Sequence, residues 1–257
     1  MTPRRDGPMY ATKCYHNRVK SRLYERFTRN GDRLLDIGCG KGGDLHKWEH
    51  RRLHTVIAVD VNPAFIREAK RRIERKRAMR TRVHFWQADA FIDDLTSGAP
   101  GAPPYDAVSC MFCLHYAARD ESSIHRLCQN VGQSLRVGGV FFGICADGDR
   151  ILQTGTFAND LVDVRIPPHG DGPWGRPYEF VLSDSIIAER NVEFVTQQSE
   201  LVRVAAQYGL EPTSLADCAE WTTAEGRCFP NCVGAKAQSE AARHLSSLYF
   251  VFAFIKR

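Results

Sequence analysis

Apolar positions along the chain recur in two different periods, and the alternation between them predicts the fold. From Tyr15 onward, Val19, Leu23 and Phe27 return every four residues among Arg and Lys, which predicts an amphipathic helix ending near Asn30-Gly31. Short, partly β-branched apolar runs follow at Leu34 to Ile37, Val56 to Val59, Val83 to Trp86, Ala107 to Met111 and Val140 to Cys145. Helical stretches or loops separate them, including a helix expected from Arg67 to Arg82. Strand, helix, strand alternation of this kind predicts an α/β protein with a doubly wound parallel sheet. Thr96 to Pro104, rich in Gly, Ala, Pro and Ser, reads as a surface connection. Gly and Pro are frequent over about 147–180, which predicts an insertion beside the fifth strand. Glu200 to Tyr208 reads as a helix, and Leu248 to Ile255 as a buried strand that completes the sheet. The expected organisation is a flexible lead-in over 1–14, then a single domain over 15–257.

Composition narrows the class without changing that picture. With 257 residues, 43% of them hydrophobic and 25% charged, the chain can bury a real core and is not a disordered tail or a coiled coil. A net charge of +5 permits an anionic partner without requiring one. No run approaches the roughly 20 apolar residues of a membrane helix, and the Arg-bearing start has no apolar secretion signal. A soluble, intracellular protein with no membrane association is expected. Nine cysteines, an odd number lying mostly in apolar segments, predict reduced thiols. Cys110-x-x-Cys113 with His115 invites a zinc reading that Cys228 and Cys232 could complete. A strand, however, sends positions 110 and 113 to opposite faces, so no metal is expected.

The sharpest motif is Asp36-Ile37-Gly38-Cys39-Gly40-Lys41-Gly42-Gly43-Asp44, where the first strand should turn into the first core helix. Gly38, Gly40 and Gly43 also satisfy the dinucleotide fingerprint, so the glycines alone do not choose a cofactor. The charges do. Asp36 sits at the strand end where a pyrophosphate would pass and would repel it, whereas S-adenosylmethionine brings an ammonium and a sulfonium that a carboxylate favours. Asp60, ending the second strand, can accept both ribose hydroxyls of either cofactor. Asp89, just past the third strand, can accept from an adenine amino group. Any one of these Asp residues alone would read as a loop cap. All three at successive strand ends read as a nucleoside site.

The glycine loop through Leu45, together with Phe112-Cys113-Leu114-His115-Tyr116, resembles the mRNA cap guanine-N7 methyltransferases. Asn17-Arg18-Val19-Lys20-Ser21 is similar to that family's segment before the core, and Tyr249 to Phe254 to its closing strand. Pro177 to Phe180 and Glu193 to Val195 follow the family order. Cys145 to Asp149 is closer to the capping enzymes of large DNA viruses than to cellular ones. The resemblance implies a class I S-adenosylmethionine-dependent methyltransferase sheet, Rossmann-like, with an insertion after the fifth strand. It implies that Lys20, Asp36, Gly38, Gly40, Asp44, Asp60, Asp89 and the backbone near Met111 contact S-adenosylmethionine. It places Asn17, Phe112, His115, Tyr116, Glu193 and Tyr249 around the cap guanosine. This chain departs from the family at His16, Arg18 and Met111.

The implied reaction is methylation of guanine N7 on capped RNA, with S-adenosylhomocysteine as product. N7 carries a lone pair and no proton, so no general base is expected, and His115, Tyr116 and Glu193 would act by positioning and charge. Lys41, in the glycine loop, is a cation for the cap triphosphate. Most of the nine Lys and Arg between Arg67 and Arg82 read as a solvated face. The other capping steps are expected in other chains or in a longer polypeptide, and a stimulatory or capping-enzyme subunit stays open. So do two alternatives: a methyltransferase of another substrate, and a non-catalytic capping subunit.

Overall fold

The computed structural model describes residues 7–76, 79–168, 170–183, 191–213 and 239–257. Cys228 and Cys232, singled out above, and Arg77, one of the nine Lys and Arg between Arg67 and Arg82, lie outside the described residues. Five parallel strands form the centre: β1 (Arg33–Ile37), β2 (Thr55–Asp60), β3 (Arg82–Gln87), β4 (Tyr105–Met111) and β5 (Leu135–Ala146). The closing strand and a short partner, β11 (Tyr249–Lys256) and β10 (Leu210–Pro212), add to them antiparallel, so the sheet runs β3-β2-β1-β4-β5-β11-β10. The order reverses between β1 and β4, and an open α/β sheet exposes its ligand crevice at the strand ends beside that point.

Because strand side chains alternate, each central strand feeds two core layers. Leu34, Val56 and Ala58 pack in the layer that holds Val19, Leu23, Tyr24 and Trp48. Leu35, Ile57 and Val59 pack in the other, with Ile124, Leu127 and Val131 of α4 (Glu121–Ser134) and Leu201 and Val204 of α6 (Gln198–Ala206). Burying each such aliphatic side chain contributes about 1.5–3 kcal/mol.

The opening helix, α1 (Tyr10–Phe27), begins five residues earlier than its apolar repeat suggests, so residues 10–14 of the expected lead-in are helical. Buried Met9 and Thr12 anchor that extra turn. After the short α2 (Leu45–His50), α3 spans Pro63–Glu74, earlier and shorter than the expected Arg67 to Arg82. The Asn62 side chain accepts from the amides of Ala64 and Phe65, and Pro63 presets the first turn, so the cap overrides the charge run in setting the start. Arg82 belongs to β3.

The segment after β5 is more ordered than its Gly and Pro content suggests. Asp147 caps α5 (Gly148–Thr154). Then β6 (Phe157–Ala158), β7 (Val162–Arg165), β8 (Pro177–Leu182) and β9 (Asn191–Phe194) make an antiparallel sheet in that order. It therefore runs to Phe194, beyond the expected end near 180. Val164 and Tyr178 are fully buried in the α1 layer, as is Leu245 of α7 (Glu240–Ser247), so the small sheet packs on the same face as the opening helix.

The layer beneath α1 is not wholly apolar. The buried Tyr24 hydroxyl lies 3.3 Å from Asp36 Oδ1 and 3.2 Å from Ser109 Oγ, and accepts from Trp48 Nε1 at 3.1 Å. Tyr24→Phe strands the indole N–H and removes a donor to a buried carboxylate. It is expected to lower the unfolding free energy by about 1–3 kcal/mol, measured by urea denaturation. A midpoint equal to wild type would show that this hydroxyl contributes nothing.

Candidate functional site

The glycine loop and the strand ends beside it surround a cavity of about 130 Å³ lined by Gly38, Asp60, Asp89, Phe91, Cys113, Tyr116 and Arg119 among others. Gly38, Gly40 and Gly42 hold positive φ, whereas Gly43 of the fingerprint does not. A side chain at Gly38 would overlap the Cys113 sulfur. Asp60 accepts from Gly40 N at 2.7 Å and from Asn62 N at 2.9 Å, which ties the second strand end to the loop and fixes its carboxylate.

A second cavity, about 240 Å³, lies between α1, the end of β4, the small sheet and β11. His16, Phe112, His115, Asn191, Glu193 and Tyr249 all line it. The Phe112 ring stacks on His16 at 5.4 Å and meets Tyr249 edge-on at 5.1 Å. Glu193, nearly buried on β9, accepts from the Tyr178 hydroxyl at 2.5 Å, and its other oxygen lies 3.5 Å from His115 Nε2. Asn191 donates to the Tyr116 hydroxyl. Both ring nitrogens of buried His115 lack a hydrogen-bond partner among the described residues. Such orphaned polar atoms facing a cavity point to a polar occupant.

One segment walls off both cavities. β4 ends at Met111, and Phe112 adopts a left-handed backbone with φ 59°, a conformation costing of order 1–3 kcal/mol that concentrates at functional sites. The chain then enters a 3-10 helix, Leu114–Arg119. With three residues per turn, Cys113, Tyr116 and Arg119 fall on one side and line the first cavity, while Phe112 and His115 line the second. The same turn packs Cys113 against the core layer that holds Cys110. This corrects the expectation that the two point to opposite faces, which holds only for a straight strand. Among the described residues no group of three or more His, Cys, Asp or Glu is placed to hold a metal ion.

Charges behind this wall are tightly coupled. Asp44 is 2.9 Å from Lys20 Nζ and 2.7 Å from Lys47 Nζ; burial would raise its carboxyl, but the two lysines hold it below the usual value. Lys20 also stands 5.5 Å from the Phe112 ring centroid, a link between this cluster and the second cavity. Asp36 is pushed up to about 7 by burial and by Asp44, against the opposing influence of Ser109, Lys20 and Tyr24. Burial and Lys20 push His16 down to about 3, so it is neutral. Burial also lowers His115, opposed by Glu193, and raises Tyr116, Tyr178 and Tyr249.

The structure thus brings Gly38, Asp60, Asp89 and Tyr116 to one cavity and Phe112, His115, Glu193 and Tyr249 to the other. Lys20, Asp36 and Asp44 form the charged cluster. Gly40 does not line the first cavity but is tied to it by the hydrogen bond its backbone N–H donates to Asp60. Asn17 accepts from Lys47, Lys41 lies over the Phe65 ring at 4.9 Å, and Met111 is buried in the core, all three outside the cavity walls. Arg119, Tyr178 and Asn191 were not anticipated. The spacing 113, 116, 119 is their one sequence signal, and it finds only Arg119.

Among known proteins, the mRNA (guanine-N(7))-methyltransferase domain matches residues 1–226. The mRNA cap guanine-N(7) methyltransferase of Candida glabrata is 31% identical over 232 residues, covering 82% of this chain and 55% of the relative. That of Saccharomyces cerevisiae is 30% identical over 230 residues, covering 81% and 52%. The chain therefore spans about half the length of the curated relatives it matches. These relatives are fungal and lend no support to the viral likeness of residues 145–149. Of solved structures, the CcbJ methyltransferase of Streptomyces caelestis superposes with a TM-score of 0.61 at 14% identity, covering 94% of this chain and 96% of that one. An S-adenosylmethionine-dependent methyltransferase from Clostridium acetobutylicum gives 0.58 at 12% identity, covering 95% and 91%. The fold is thereby the class I methyltransferase sheet. No helix among the described residues is long and apolar enough to cross a membrane.

Asp36 supplies a pH test of the charged cluster. Its folded value near 7 exceeds the unfolded value of about 3.9, so the folded state binds the extra proton between them. The stability this contributes is complete below about pH 4 and lost as pH rises through 7. Thermal midpoints of the ligand-free protein are expected to fall between pH 5 and 8, and Asp36→Asn to flatten that slope. A variant slope equal to wild type would contradict the assignment.

Proposed function

The chain belongs to the mRNA (guanine-N(7))-methyltransferase family, and on that premise we propose that it transfers a methyl group from S-adenosylmethionine to N7 of the guanosine capping an RNA. GpppN-RNA becomes m7GpppN-RNA, and S-adenosylhomocysteine leaves. The observation that carries this reading is the single wall, Phe112 to Arg119, shared by a nucleoside-type cavity and a cavity containing Glu193.

S-adenosylmethionine supplies an electrophilic methyl on a positively charged sulfur. The donor set fits it. Each Asp60 oxygen accepts one backbone amide and keeps a lone pair for a ribose hydroxyl. Asp36 and Asp44 favour an ammonium, Lys20 a carboxylate, and the Gly38 and Gly40 backbone admits close approach. Asp89 faces the base, and Met111 contributes only backbone, since its side chain is in the core.

On the substrate side, Phe112 and Tyr249 offer apolar ring surface for a purine, with His115 at its edge; Tyr116, expected beside the guanine, instead lines the first cavity and reaches this side only through its hydroxyl's bond to Asn191. Glu193, fixed by Tyr178, accepts from guanine N1–H and the exocyclic amine. As the ring gains positive charge, that carboxylate becomes more favourable, so it stabilises the transition state more than the ground state. No residue removes a proton, because N7 has none. The rest is alignment of N7, methyl and sulfur across the wall, worth up to about 7–11 kcal/mol. Lys41, with the basic face of α3, suits the triphosphate and RNA beyond it, held in a salt-dependent way. Asn17, paired with Lys47, lends polar support at the lead-in helix.

Transfer of labelled methyl to GpppA-ended RNA by the chain alone, with N7-methylguanine in the digest, tests the activity and the need for a stimulatory subunit together. Clean, cofactor-binding protein that makes no such product, with or without a capping subunit, would sink the reading. Glu193→Gln is expected to lower kcat by about a hundredfold or more while S-adenosylhomocysteine affinity stays near wild type. Full activity in that variant would refute the charge argument.

A further inference from the structure

The first cavity pairs Asp89 with Arg119, a side chain that the reaction above leaves unused. Arg119 Nη1 lies 3.6 Å from Asp89 Oδ2, and both side chains line the cavity. That separation is too long for a hydrogen bond between them. A donor-only group and an acceptor-only group therefore stand side by side, each with capacity for a third partner. Both are held from behind. Asp89 Oδ1 accepts from Phe91 N at 2.9 Å, Arg119 Nε donates to Ser123 Oγ at 2.8 Å, and the guanidinium sits 6.0 Å from the Phe91 ring centroid. The 3-10 register aims Arg119 into the cavity directly below Tyr116.

We propose that Arg119 reads the base of the bound nucleoside, donating to N1 of adenine while Asp89 accepts from the N6 amino group. The inference rests on the cofactor reading given above. Adenine sets an acceptor at N1 beside a donor at N6; guanine and hypoxanthine set the reverse, an N1–H beside a carbonyl oxygen. An Asp and Arg pair matches the first edge and opposes the second, facing carboxylate against carbonyl and guanidinium against N–H. Glu193 in the other cavity is acceptor-only and suits the donor edge of guanine. A protein that holds two purines at once thereby assigns each to its own cavity by hydrogen-bond polarity rather than by size.

Calorimetric titration with S-adenosylhomocysteine and with its 1-deaza analogue, which keeps N6 but has C–H in place of N1, tests this. The wild-type chain is expected to bind the analogue about tenfold or more weakly. Arg119→Met, which keeps length and loses the donor, is expected to bind the two compounds alike, and Arg119→Lys to recover part of the preference. Equal wild-type affinities overturn the proposal without reference to any variant, as does a preference that survives in Arg119→Met. A wild-type chain that binds no S-adenosylhomocysteine overturns the cofactor reading itself.

Discussion

The site depends on how the chain leaves β4. A left-handed residue at Phe112 stops the strand one residue after Met111, and a helix of three residues per turn begins at Leu114. Had the chain continued as a regular α-helix, positions 113, 116 and 119 would have spread around its axis instead of stacking along one side. The partition between the cavities is one segment thick for that reason, and two ligands of very different chemistry can meet across it. Packing enforces the strained residue: its ring is clamped between His16 and Tyr249, and the Phe112 amide donates to Ile144 O at 2.8 Å.

Behind the partition, the opening helix does electrostatic as well as apolar work. Tyr15, Val19 and Leu23 bury its inner face, while Lys20 and Tyr24 from the same helix reach Asp44 and Asp36. A buried carboxylate at the end of β1 is tolerated because hydroxyls and a lysine surround it, yet they do not fully compensate its burial. Ligand-free, both lysines sit on Asp44, and Asp36 is the carboxylate left short of positive charge. A cationic occupant would relieve it, which couples cofactor binding to the docking of α1.

Much of this was legible in the chain because it rests on local patterns. The apolar runs located the parallel strands, and the glycine loop with Asp36, Asp60 and Asp89 placed the first cavity. Each of those carboxylates stands at or just past the end of a strand whose direction the topology rules already set. The second cavity was reached only through resemblance, since His16, Glu193 and Tyr249 lie far apart in sequence and meet through long-range pairing. The small sheet escaped because β6 has two residues and β7 and β9 four each, too few to show a period among glycines. The start of α3 was misread because a row of Arg looks helical wherever it stands, and the Asn62-Pro63 cap carries the information instead.

The small sheet has a consequence for how such proteins diversify. The ends of the parallel strands and the loops that follow them supply the walls of the first cavity apart from Cys113, Tyr116 and Arg119, whereas Asn191, Glu193 and Phe180 of the second come from β8 and β9. Changes confined to the stretch from β6 to β9 can therefore reshape the second cavity while the glycine loop and strand ends of the first stay in place. Selection can act on that stretch with little disturbance to the first cavity, provided each replacement still docks against the outer side of the 3-10 turn.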